Sequence, residues 1–265
     1  MAAVLLDIDG VLQLSGRALP GAGEAAAALR ADGHRLRFVT NNTVRSRANL
    51  AADLRSLGVD VGEDELETTP VAVARLLAGL RVLPLTMAAV REDLALGVEL
   101  VDERADVVLV GGADETDEAG EVFAWERLDR AFGELERGAR LVCLHRNRWW
   151  MTADGPRLDS GVVVAGLEYA AGVHAELVGK PSPAYFDAAL AALGVGPEDA
   201  VMVGDDVESD VSAARRLGLH GVLVRTGKFR EDTLAAASPK PDAVLGSIAE
   251  LPAYLAARAR AESGS

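Results

Sequence analysis

Apolar and polar positions alternate along this chain in two rhythms. Residues 3–6 (AVLL) form an unbroken apolar run that meets Asp7, and the segment AVLLDIDGVL then turns at Gly10. A short apolar run bounded by a turn signal predicts a buried strand. Residues two apart on a strand share a face, so Asp7 and Asp9 are expected close together where the strand leaves the core. Pro20 then opens a helical GAGEAAAALRAD, with Gly33 where a helix stop belongs. RLRFV (35–39) predicts the next strand and delivers Thr40, Asn41 and Asn42 at its end. Leu50, Leu54 and Leu57 recur at helical spacing before Gly58.

The same alternation continues to the end of the chain. A helix from about Pro70 precedes a strand at 106–110, a helix at 123–137 and a strand at 141–144. A helix over 166–171, a strand at 175–178 and a helix at 183–193 follow. A strand at 200–203 leads into GDDVESD, a helix to Leu217, a strand at 221–224 and a last helix at 248–257, with the tail ARAESGS expected to fray. Repeated strand–helix units predict an α/β fold, a Rossmann-like parallel sheet with helices on both faces. Sites in such sheets form beyond the carboxyl ends of the strands. Four segments bring polar groups there: Asp7 and Asp9, Thr40 and Asn41, Lys180 in GKPSP, and Asp205 in GDDVESD. Residues 70–173 bring nothing comparable, which marks them as a second domain inserted into a core formed by 1–69 and 174–265.

Composition narrows the chemistry. The 265 residues are 49% hydrophobic and 26% charged, an ordinary globular balance, and carry a net charge of −14. That sign argues against nucleic acid and anionic membranes as partners. One cysteine, Cys143, excludes an internal disulfide and fits a reducing, cytoplasmic setting. No basic segment precedes the first apolar run, and GVVVAGLEYAAGV is too short for a membrane span. Acidic side chains with one lysine on a shared rim describe a site for a hard divalent cation, with magnesium leaving room for phosphate.

Other features are read more plainly. TGK (226–228) lacks the spacing of a phosphate-binding P-loop. His34, His145, His174 and His220 show no metal-ligand spacing, and GGADETDEAGE (111–121) reads as a solvated acidic loop. HRNRWW (145–150) places Trp149 and Trp150 either in packing or on the wall of a substrate entrance.

In order along the chain, DIDGVL, FVTNNT, GKPSP and GDDVESD resemble the four motifs of the haloacid dehalogenase (HAD) superfamily of aspartate-nucleophile phosphatases. The insertion resembles the type II (C2) cap of subfamily IIA. The resemblance implies a magnesium-dependent phosphatase acting on a small phosphorylated metabolite through an aspartyl-phosphate. It implies Asp7 as nucleophile, Asp9 as acid and then base, and magnesium on Asp7, the Asp9 carbonyl and Asp205. It further implies Thr40 and the Asn41 backbone as donors to phosphate, Lys180 as its counter-charge, and Asp206 and Asp210 as positioning groups, with Asn42 in support. Gly10 would let the chain turn so that N–H groups approach phosphate. A homodimer through the cap is also implied. A phosphotransferase on the same core shares this pattern. So does a phospho-accepting signalling or binding protein without turnover, although there the acceptor lies on a mid-chain strand and no cap is inserted.

Overall fold

The computed structural model describes residues 2–112, 117–152 and 155–263. Two compact units emerge, one of residues 1–40, 48–67 and 186–265, the other of 41–47 and 68–185.

The first unit holds a six-stranded sheet, in the order Ala243–Leu245, His220–Val224, Ala200–Gly204, Ala3–Asp7, Arg35–Thr40 and Leu66–Thr68. Pairing is parallel from Ala243–Leu245 through to Arg35–Thr40. Because side chains alternate across a strand, Val4 and Leu6, Leu36 and Phe38, Val201 and Val203, and Val222 and Val224 fall two apart and enter one core. Helix Ala22–Ala31 adds Ala22, Ala25, Ala26 and Leu29 to it. Ala3–Asp7 is buried along its whole length, as the unbroken apolar run requires of a central parallel strand.

The second unit carries its own sheet, five parallel strands in the order Glu176–Leu177, Arg140–Cys143, Val107–Val110, Arg81–Leu85 and Glu99–Leu100. Its core repeats the period of two: Leu83 with Leu85, Val108 with Val110, and Leu141 with Cys143 pack with Val164 and Leu167 of helix Gly161–Ala171. Trp149–Thr152 pairs antiparallel with Gly155–Leu158.

Several elements depart from the sequence expectation. The helix expected over 123–137 runs over Trp125–Glu136, and a separate short helix, Asp117–Val122, precedes it, so part of the acidic stretch read as a loop is helical. Residues 113–116 of that stretch lie outside the described residues, as does the Trp150 side chain, while Trp149 is exposed. As far as Ser263 the tail expected to fray is helical, Leu251–Ser263, because a helix already anchored by buried Leu251 and Leu255 propagates cheaply, and residues 264–265 lie outside the described residues. Among the described residues no helix is long and apolar enough to cross a membrane.

Candidate active site

Parallel register places the strand ends. Leu6 stands opposite Val203 on one side, and Asp7 stands opposite Val39 on the other. Asp7, Thr40 and Asp205 therefore all leave the sheet at its carboxyl edge, on three adjacent strands. Strand order reverses around Ala3–Asp7, and such a switch point opens a crevice in doubly wound sheets.

At that edge Asp7, Asp205 and Asp210 are buried, and one oxygen from each lies within 4.8 Å of the others. Asp210 reaches the group through a π-helical segment, Val207–Ser212, which follows strand Ala200–Gly204. A Cβ on Gly204 would fall 2.3 Å from that of Asp210, so only glycine leaves room for this approach. The Asp206 carboxylate caps the segment, accepting from Glu208 N–H at 3.0 Å and Ser209 N–H at 3.1 Å. Its own N–H donates to Asp210 Oδ2 at 3.2 Å.

Asp205 is the most constrained of the three. Its Oδ2 accepts from the Lys228 N–H at 2.6 Å, while Oδ1 is buried with no hydrogen-bond partner. Burial pushes the carboxyl up to about 6, the charges of Asp210 and Asp206 add to this, and the Lys228 N–H opposes it. A buried carboxylate oxygen without a donor, beside two more carboxylates, is costly unless a cation or proton joins it. The all-oxygen donor set fits a hard divalent ion such as magnesium.

Asp9 stands apart from this group. The strand stops at Asp7, and the exposed Asp9 carboxylate accepts from Gln13 Nε2 at 3.0 Å. The turn is closed by Gly10 N–H to the Gln13 carbonyl at 2.6 Å and Leu12 N–H to the Ile8 carbonyl at 2.9 Å. Gly10 has φ +91°, and a Cβ there would sit 1.8 Å from Asp205 Oδ2. Thr40 is buried at the end of its strand.

Asn41, Asn42 and Lys180 belong to the second unit. There the Asn41 side chain grips the Lys180 backbone: its Oδ1 accepts from Lys180 N–H at 2.8 Å, and its Nδ2 donates to the Lys180 carbonyl at 2.9 Å. Lys180 is buried, and the preceding Gly179 has no room for a Cβ, which would meet the Leu144 carbonyl at 2.3 Å. Asn42 Oδ1 accepts from Val44 N–H at 3.2 Å and Arg45 N–H at 2.9 Å, an Asx turn that ends the strand cleanly. The Asn41 grip escaped the sequence reading, since nothing local links residues 139 positions apart.

The family model described as haloacid dehalogenase-like hydrolase matches residues 4–121, and a second, HAD-hydrolase-like, matches residues 177–251. The phospholysine phosphohistidine inorganic pyrophosphate phosphatase of Homo sapiens is 38% identical over 256 residues, 93% of this chain and 91% of that protein. A p-nitrophenyl phosphatase from Archaeoglobus fulgidus superposes with a TM-score of 0.85 at 31% identity, covering 96% of this chain and 98% of that one. A glycerol phosphate phosphatase from Mycobacterium tuberculosis, in complex with magnesium, gives 0.82 at 28% identity, covering 93% of this chain and 76% of that one.

Proposed function

The chain belongs to the haloacid dehalogenase-like hydrolases, subfamily IIA, as a phosphatase of that family, and we propose that it hydrolyses a small phosphorylated metabolite with magnesium through an aspartyl-phosphate on Asp7. One observation carries the reading: three buried carboxylates converge at a strand switch point, with Asp205 Oδ1 left unpartnered. Asp7, Asp205 and the Asp9 carbonyl would hold the ion, with Asp210 beside them. Held there, magnesium would supply positive charge to offset that of the nucleophile and the transferring oxygens.

The residues divide the chemistry. Asp7 attacks phosphorus, an Asp7 oxygen–phosphorus bond forms, and the bond from phosphorus to the leaving oxygen breaks. Asp9 protonates that oxygen as it departs. Its carboxylate lies outside the buried group and is oriented by Gln13 Nε2. In the second step Asp9 takes a proton from water, the water oxygen joins phosphorus, and Asp7 is released with inorganic phosphate. Thr40 and the Asn41 N–H are assigned to the phosphoryl oxygens, and Lys180 to their charge. Asn41 thus serves twice, since its side chain fixes the Lys180 backbone. Residues 70–173 are assigned the role of a cap that selects the leaving group, because the core groups read only phosphate.

Phosphate release from p-nitrophenyl phosphate tests the reading. Turnover is expected with MgCl2, should vanish in EDTA and return when magnesium is added in excess. Turnover indifferent to EDTA would remove magnesium from the account.

A further inference from the structure

TGK (226–228) lacks the spacing of a phosphate-binding P-loop, yet its backbone packs against Asp205 Oδ2. We infer that Thr226–Lys228 is a clamp that orients Asp205, holding Oδ2 so that Oδ1 is the oxygen offered to a cation. The inference rests on the reading of Asp205 as a metal ligand and adds positioning residues to it.

The clamp has an anchored frame. Strand His220–Val224 ends just before it, and Arg225 N–H still donates to the Leu245 carbonyl at 2.9 Å. Thr226 Oγ1 donates to the Gly10 carbonyl, which ties the loop to the turn after Asp7. Phe229 N–H donates to the Thr226 carbonyl at 3.1 Å and closes a tight turn. Within that frame Lys228 N–H meets Asp205 Oδ2 at 2.6 Å.

Two glycines bring bare backbone against the same oxygen. Gly227 has φ +54°, and a Cβ on it would lie 1.9 Å from Asp205 Oδ2 and 2.7 Å from Gly10 Cα. Gly10 presses from its own side, with its virtual Cβ 1.8 Å from Oδ2. Oδ2 is thus hydrogen-bonded and enclosed, while Oδ1 is buried with no protein partner. A carboxylate whose two oxygens are distinguished in this way presents one lone-pair direction instead of sampling both. Groups that orient a ligand without touching the metal typically change metal affinity by about 10–100-fold when lost.

The test needs magnesium alone and no substrate. The full chain is stripped with EDTA, and its melting temperature is followed through a MgCl2 titration to give an apparent dissociation constant. Gly227→Ala should weaken magnesium by about tenfold or more, Thr226→Val by several-fold, and Thr226→Ser, which keeps the hydroxyl, should stay near wild type. If Gly227→Ala fails to fold, the Thr226→Val and Thr226→Ser pair decides the matter. Wild-type magnesium affinity in Thr226→Val and in any folded Gly227→Ala would overturn the clamp while leaving Asp205 as ligand. A wild-type protein whose melting ignores magnesium would overturn both.

Discussion

Asp205 concentrates the energetic tension of the site in one side chain. Without metal its carboxyl is pushed up to about 6, chiefly by burial, so the folded protein holds a proton that the unfolded chain releases nearer pH 4. Its effect on stability therefore has a definite sign: metal-free protein is favoured while Asp205 is protonated and loses stability as pH rises from about 4 through 6. EDTA-treated wild type should show this loss in urea unfolding, and Asp205→Asn should flatten it. An equal slope in both proteins would assign the effect to other groups. If Asp205 is a magnesium ligand as proposed, protons and magnesium would compete for its oxygens, and magnesium affinity should climb with pH up to about 6 and then level. At this scale the sequence indicated which polar residues reach the carboxyl edge of the sheet, because each follows a segment that reads as a strand. Their division of labour was hidden. Asp7 and Asp9 look equivalent at i and i+2, but the strand ends at Asp7, leaving one carboxylate in the buried group and the other bound to Gln13.

Elements show where patterning succeeds and where it fails. The strands AVLLD, AVMVG and HGVLV were legible because apolar runs between turn residues have few alternatives. Arg81–Leu85 was not, since Pro84 interrupts it and proline is normally excluded from central strands. The structure explains the exception: the neighbouring strand Glu99–Leu100 pairs only with Arg81 and Val82, and the Pro84 carbonyl accepts from Arg127 Nη2 at 2.7 Å. The π-helical turn at 207–212 was also invisible, because its cause is tertiary, the close fit of Asp210 against Gly204. Arg37 is another case of tertiary override. A charge in RLRFVT is tolerated because buried Glu67, in the neighbouring strand Leu66–Thr68, pairs with it, with Nε to Oε2 at 3.0 Å. Arg37→Met strips that guanidinium from a buried carboxylate and should cost about 3 kcal/mol or more in urea unfolding. A loss below about 1 kcal/mol would contradict the pairing as what makes Arg37 tolerable in the strand.

At the scale of the whole molecule, two parallel sheets built on one strand–helix grammar divide the chain into two units. The sequence pointed to an insertion because one stretch lacked polar strand ends. The observed units divide near 40, 48, 68 and 186, so the segment 41–47 and the lysine loop group with the insertion. No periodicity could have shown this, because compactness depends on long-range contacts. The acidic chain, at −14 overall, gathers three of its carboxylates in one buried spot, and under the proposed reading a cation joining them would stabilise the fold. Magnesium at a hundredfold excess over its dissociation constant should stabilise the protein by about 2.7 kcal/mol, readable as a rise in melting temperature. The central claim, that Asp7 is the nucleophile, is tested most directly by the turnover of p-nitrophenyl phosphate by Asp7→Asn with saturating magnesium. A folded variant slower by roughly three or more orders of magnitude is the expected result. Near-normal turnover would contradict it.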